Sequence, residues 1–316
     1  VRAAVVNLLG QAPKYQEFRD PEPAEGEALL QVRAAGLHPI VKALAAGAHY
    51  AAGGELPAIP GVDGVGVLPD GRRVYFGMVR RPWGTMAERA AALPRNCVPL
   101  PDGLGDAEAA AIANPGMSAW VSMKERAGLQ AGETVLILGA TGVAGQLAAQ
   151  TARMLGAGRV IGVGRNVDAL KDADVDAVVA LGDGDDSVLE AFTREAEAGI
   201  DVVIDYLWGR PTELLLEALA KGFKATATKR TRLVEVGTSA GPTITLPGAT
   251  LRSIDLLICG SGFGAARLDV IFAAIPILFE AAASGRLTID VDKVPLADVE
   301  SAWNRGERGR RVVFTV

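Results

Sequence analysis

Between Thr134 and Gly237 the chain repeats one pattern: a short apolar run, then a segment of helical periodicity. The runs are TVLIL, RVIGVG, AVVAL, DVVIDYL and RLVEVG. They are rich in Val and Ile and apolar at consecutive rather than alternate positions. A strand of that kind needs cover on both faces. In VAGQLAAQTARML, after the first run, Val143, Leu147, Gln150 and Met154 fall near one helical face. DDSVLEAFTREAEA and PTELLLEALAKGF read as further helices, the second with Pro211 in its tolerant first turn. Strands joined through helices form a parallel sheet with helices on both faces. The expectation is an α/β fold with a doubly wound parallel sheet.

The rest of the 316 residues reads differently, and that length favours two domains. In the first hundred, the strand candidates RAAVVNLL, ALLQVRAAG and RRVYFG are broken by RDPEPAEGEA and PAIPGVDGVGVLPDGRR. Frequent Gly and Pro turns with little helix imply a mostly-β unit. After Gly264 come an apolar helix, a strand near IDVDKVPL, a short helix LADVESAW and a final strand RRVVFTV.

The net charge of −5 gives no pull toward nucleic acid or an anionic membrane. A mean hydropathy of +0.24 raises the question of insertion. The oiliest segment, VIFAAIPILFEAAA, is too short to span a bilayer and is interrupted by Pro276 and Glu280. The first twenty residues lack the ordered features of a signal peptide. Two cysteines, Cys97 and Cys259, make no disulfide framework. A cytoplasmic protein is expected.

Chemistry enters after TVLIL, where Ala140-Thr141-Gly142-Val143-Ala144-Gly145 fits the [G/A]-x-G-x-x-G spacing of dinucleotide-binding turns. Small residues there allow a tight turn, close approach of a diphosphate and close helix–strand packing. The helix that follows directs unpaired N–H groups and its positive dipole end at the phosphates. NAD-binding versions place an acid about twenty residues on, at the end of the second strand. This chain has Gly164-Arg165-Asn166. Arg165 can grip a ribose 2′-phosphate that a carboxylate would repel, so NADP is the expected cofactor. Asn166 is a neutral donor and Lys171 a more distant cation. The alternative leaves Arg165 solvated and lets Asp168 supply the acid.

With these residues in hand, the chain resembles the zinc-independent quinone oxidoreductase-like branch of the medium-chain dehydrogenase/reductase superfamily. The landmarks run in that family's order: AAGLHP, PGVDGVG, GTMAERA, NPGMSAW, GATGVAG, VVIDYLWG, RLVEVG and GRRVVFTV. The resemblance implies a GroES-like catalytic domain of residues 1–115, completed by 261–316, and a Rossmann NADP-binding domain of residues 116–260. It implies no zinc, since Val62 stands immediately before Asp63, where the metal-dependent branch has a histidine.

Without a Lewis acid, hydride addition suits an acceptor that is already electron-poor, a quinone or an α,β-unsaturated carbonyl. The protein then supplies orientation and donors to the developing enolate. His38, His49 and Tyr50 are the donor candidates. The stretch departs from the family's Asn-Pro-x-Asp pattern, with His38 for Asn and Val41 for Asp. Cleft-wall packing, with protons from water, is the competing role for the three. By resemblance, Gly237-Thr238-Ser239 lies near the nicotinamide ribose and Gly260-Ser261-Gly262 near its amide. Ser118 matches a position whose hydroxyl is near the nicotinamide, and Asp205-Tyr206 is placed on the adenosine side. NPGMSAW also fits an enoyl-thioester reductase, and Val41 leaves room for a non-catalytic NADPH-binding redox sensor. The basic segment Lys224–Arg232 reads as a solvated loop. TLRSIDLLICGSGFG reads as an apolar edge strand, and its pairing with a second copy predicts a homodimer.

Overall fold

The computed structural model describes residues 1–221, 229–306 and 309–316. It divides into two compact units, Val1–Asn114 with Ile275–Val316, and Pro115–Ala274. Most of the basic segment read as a loop, residues 224–228, lies outside the described residues.

The first unit opens with β1 (Arg2–Val5) and β2 (Lys14–Glu17), paired antiparallel as a separate ribbon. Then come β3 (Ala28–Gly36), α1 (Pro39–Ala45), β4 (Asp63–Val67), β5 (Arg73–Gly77), β6 (Arg89–Ala92) and β7 (Val98–Pro99). Burial in β3 alternates as a half-covered strand requires. Leu30, Val32 and Ala34 face inward, while Gln31 and Arg33 are exposed. A register shift against β4 falls between Val32 and Ala34, and beyond it Ala34, Ala35 and Gly36 are all buried. α2 (Asp106–Val121) runs through the division point at Asn114/Pro115. Its motif NPGMSAW is helical although Pro115 sits inside and removes one backbone donor.

The second unit holds β8 (Thr134–Leu138), α3 (Val143–Met154), β9 (Arg159–Gly164), α4 (Val167–Lys171), β10 (Ala177–Ala180), α5 (Asp185–Ala198), β11 (Val202–Asp205), α6 (Gly209–Lys221), β12 (Thr231–Glu235), α7 (Gly248–Ser253) and β13 (Leu256–Gly260). The strand order is β10-β9-β8-β11-β12-β13, and every pairing is parallel. Adjacent residues of one strand feed different cores. Val135, Ile137, Val202, Ile204 and Val234 belong to one, and Leu136, Leu138, Val203 and Leu233 to the other. This is the Rossmann arrangement, with both faces covered.

Two expectations need adjustment. The buried side of α3 consists of Val143, Gly145, Leu147, Ala148, Ala149, Thr151 and Ala152, while Gln150 and Met154 lie at its half-buried margin. Small residues let this helix sit close to the sheet, so its contact face is wider than a stripe of large side chains. The first residues of TLRSIDLLICGSGFG are not strand. Pro247 precedes a helical turn, α7, and β13 begins only at Leu256. β13 does end the sheet, with β12 as its neighbour and Leu257 exposed.

α8 (Leu268–Ala283) runs through the second division point, Ala274/Ile275. No described helix is long and apolar enough to cross a membrane. β14 (Val291–Pro295), α9 (Val299–Ala302) and β15 (Arg311–Thr315) then complete the first unit. Its larger sheet has the order β14-β15-β3-β4-β5-β7, with β6 on β3. Val5, Leu37, Met86, Trp303 and Phe314 share its main core. This is the GroES-like unit.

Candidate functional site

The turn between β8 and α3 is built from backbone. Gly139 has φ +93°, and with Ala140 it donates to the Val163 carbonyl, both at 2.9 Å. The left-handed residue is thus Gly139, one position before the [G/A]-x-G-x-x-G match. Ala140 is fully buried. A Cβ on Gly145 would lie 2.2 Å from the Gly139 oxygen and 2.6 Å from Ala140 Cα, so only glycine lets α3 reach the strand end. Gly142 is different. It is the N-cap of α3 with ordinary extended backbone, no side-chain cap bond, and only the Gly139 oxygen, at 3.5 Å, near a Cβ. The chain's own packing does not require glycine there. The face above it is open, and the first-turn N–H groups of Val143, Ala144 and Gly145 are directed toward it. These residues fit a diphosphate.

At the end of β9, a Cβ on Gly164 would come within 3.0 Å of the Thr141 methyl, so this glycine makes room for the turn beside it. Arg165 is exposed, and no described residue pairs with its guanidinium. Asn166 is the N-cap of α4. Its Oδ1 accepts from the Ala169 N–H at 3.1 Å, which leaves its amide NH2 to donate. Lys171 reaches Asp168 at 3.5 Å, both well exposed. Asp168 thus faces a cation of its own helix, and the cap and the free arginine remain at the strand end.

Asp205 and Tyr206 end β11, next to β8 in the sheet. Asp205 is fully buried. One oxygen accepts from the N–H groups of Leu207 and Trp208, both at 2.8 Å, and the other from the Thr212 hydroxyl at 2.5 Å. Burial raises its carboxyl above the ordinary range, against the pull of those donors. The turn it holds is tight, with Trp208 at φ +54° and Gly209 at φ +63°. Asp205 therefore has no free oxygen for a ligand. The Tyr206 hydroxyl is buried without a partner among the described residues, and burial raises its pKa.

The turns after β12 and β13 are stitched to their neighbours. Gly237 N–H donates to the Asp205 carbonyl at 3.2 Å, and the Ser239 hydroxyl to the Tyr206 carbonyl at 2.8 Å. Thr238 is exposed, and its side chain has no hydrogen-bond partner among the described residues. Ser261 N–H donates to the Glu235 carbonyl at 2.8 Å, and Gly262 is exposed. Ser118, on α2, is half-buried. Sequence reasoning passed over two residues here. Arg126 donates through Nε to the Gly260 carbonyl at 2.9 Å. Glu235 is half-buried, and burial, followed by the charge of Asp205, raises its carboxyl pKa. Local composition signals neither, because both act through partners distant in sequence.

In the first unit, His38 caps α1 from its N-terminal side without a side-chain cap bond and has no exposed surface. Its Nε2 is 3.2 Å from Asp63 Oδ1, a charge-pair distance without hydrogen-bond alignment. Tyr75 donates to the other Asp63 oxygen at 2.8 Å, and the buried phenol is held well above its ordinary pKa by desolvation and then by that carboxylate. His38 thus faces an internal acid through Nε2, while its buried Nδ1 has no hydrogen-bond partner among the described residues. His49 and Tyr50 lie in the following loop, with ring centroids 4.0 Å apart. His49 accepts from the Ala51 N–H at Nδ1, and Tyr50 is 76% exposed. Among the described residues, no group of three or more His, Cys, Asp or Glu is placed to hold a metal.

No protein-family profile matches the chain. It is 30% identical to a protein of Emericella nidulans named "Probable NADPH-dependent quinone reductase tdiC", over 99% of each chain. It is 34% identical to the spectinabilin polyketide synthase system protein NorB of Streptomyces orinoci, over 87% of this chain but 12% of that much longer one. In structure it is similar to the quinone oxidoreductase of Thermus thermophilus, also solved with NADPH, at 28% identity and TM-score 0.80 over all of both chains. With a relative matched end to end above a shared two-unit fold, the chain belongs to the quinone oxidoreductase-like branch of the medium-chain dehydrogenase/reductase superfamily.

Proposed function

We propose that this protein is an NADPH-dependent oxidoreductase that delivers hydride to a quinone or an α,β-unsaturated carbonyl without metal assistance. The observation that carries the reading is the pairing of an open glycine turn with an unengaged Arg165 at the next strand end. Val143, Ala144 and Gly145 would hold the diphosphate through their N–H groups, and Arg165, helped by the Asn166 amide, the 2′-phosphate. NADPH, when bound, supplies the hydride. Of the donor candidates, His49 and Tyr50 have surface to offer an enolate, and His38 is assigned to holding the wall through Asp63. Asp205 serves by shaping its turn. The first unit is the proposed catalytic domain and the second the cofactor domain.

NADPH is expected to bind at least about tenfold more tightly than NADH, because a charge-assisted pair contributes roughly 1.5–3 kcal/mol. Arg165→Ala should remove that preference and leave NADH binding intact. Equal losses for both cofactors would reject the assignment. NADPH oxidation measured across quinones, alkenals and enoyl-CoA esters names the acceptor class. Turnover with none of them would sink the reading as an enzyme and favour a redox sensor. The similarity to a polyketide synthase protein keeps enoyl-thioester reduction as the second reading.

The proposal places the protein in the cytoplasm and assigns it a small electrophile as partner, not nucleic acid or membrane. It also includes a homodimer through the edge of β13. Leu257 on the strand, with Leu251 and Phe263 on its flanks, is exposed there. An open apolar edge is a pairing site. Light scattering of the wild type and of Leu257→Lys tests it. A monomeric wild type, or a lysine variant that dimerises as well as the parent, counts against it.

A further inference from the structure

α2 does not end in an ordinary turn. Residues Ser122–Arg126 form a π-helical turn, closed by the Ala127 N–H on the Ser122 carbonyl at 2.9 Å. One extra residue per turn changes the direction of the side chains beyond it, and such turns gather at functional sites. Here the side chain redirected is Arg126. It is half-buried, no described carboxylate pairs with it, and its hydrogen bond goes to the backbone carbonyl of Gly260, 134 residues away in sequence. An arginine without an acid, fixed on one carbonyl, acts through whatever that carbonyl belongs to.

That carbonyl opens the turn Gly260-Ser261-Gly262 at the carboxyl end of β13. The sheet holds the turn at one point, the Ser261 N–H on the Glu235 carbonyl at 2.8 Å, and Arg126 is its side-chain tether. A Cβ on Gly260 would meet nothing closer than Glu235 Oε2, at 3.9 Å. The turn is therefore open on its own face and anchored from behind. Ligands of parallel α/β sheets bind beyond the carboxyl ends of the strands.

We infer that Arg126 is a positioning residue that sets the Gly260–Gly262 turn for the nicotinamide end of NADPH. This rests on the NADPH reading above. Arg126 acts through the Gly260 carbonyl and touches neither the diphosphate nor the 2′-phosphate, so its influence is confined to one end of the cofactor.

The experiment compares two ligands on the intact protein: NADPH, and 2′,5′-ADP, which has the phosphorylated adenosine but no nicotinamide. Binding is followed by calorimetry and by the fluorescence of bound NADPH. Arg126→Gln should weaken NADPH about tenfold and leave 2′,5′-ADP within about twofold, the size expected for losing one charge-assisted hydrogen bond. Arg126→Lys, which keeps a charged donor for the carbonyl where glutamine offers only a shorter neutral one, should recover most of the NADPH affinity. Unchanged NADPH binding in Arg126→Gln, or equal loss of both ligands, overturns the inference. If Arg126→Gln does not fold, Arg126→Lys decides: a loss of NADPH affinity no greater than that of 2′,5′-ADP overturns it. A wild type that binds neither ligand defeats the NADPH reading itself.

Discussion

β8 and β11 are neighbours in one parallel sheet, and each ends in a tight turn leading to a helix, yet the two turns treat the same donors oppositely. After β8, Gly142 caps α3 with no side chain, so no cap bond takes the first-turn N–H groups. After β11, Asp205 folds back beneath its own turn and takes the N–H groups of Leu207 and Trp208. The second turn carries its own anion, whereas the first is the one proposed to receive the cofactor's diphosphate. Topology alone therefore does not make an anion site. What makes one is the absence of an internal acceptor.

The largest effect expected from testing this contrast is at Asp205. Asp205→Ala strands two half-buried backbone N–H groups and the buried Thr212 hydroxyl, and should lower unfolding stability by about 3 kcal/mol. Urea denaturation measures it. A loss below about 1 kcal/mol would mean that the turn closes without its anion, and the contrast would fail. Gly145→Ala comes next. The added methyl meets backbone that cannot move aside, so about 2 kcal/mol should be lost despite the better helix propensity of alanine. NADPH affinity should fall with it.

Gly142→Ala should give the smallest change in stability, within about 0.5 kcal/mol, because its φ is ordinary and its Cβ meets only one atom at 3.5 Å. NADPH binding should nonetheless weaken clearly, since the methyl occupies the approach to the diphosphate. A variant with unchanged affinity would show that the open face is not the phosphate site. That pair of results separates a glycine kept for a ligand from one kept for the fold.

The architecture was readable because strands covered on both faces cannot hide their burial. TVLIL and RVIGVG became β8 and β9 residue for residue, and DDSVLEAFTREAEA became α5. α2 went unread because Pro115 and Gly116 look like a break, although the helix continues through both. α4 was too short to show periodicity, and its start is signalled only by the capping Asn166. At the glycine turn the spacing identified the right segment, but it could not say that Gly139 holds the left-handed backbone or that Gly145 is the steric requirement. Both facts depend on where the Val163 and Gly139 carbonyls lie. The direction of Asp205 was illegible for a related reason. A carboxylate at a strand end reads the same whether it faces a ligand or its own turn. His38 likewise carries no mark in sequence of the buried Asp63 and Tyr75 behind it.

The placement of β15 has a consequence for how the protein is made. This strand lies between β14 and β3, pairing antiparallel with Ala34–Gly36, so the larger sheet of the first unit draws on segments that precede and follow the second unit in sequence. The second unit, Pro115–Ala274, is one uninterrupted stretch. As the polypeptide leaves the ribosome, the Rossmann unit is complete in sequence while that edge of β3 still waits for residues 311–315. An unpaired strand edge is an invitation to wrong partners. A nonsense or frameshift lesion between α9 and β15 would leave a finished Rossmann unit joined to an unclosed sheet, the kind of product that chaperones hold and proteases clear.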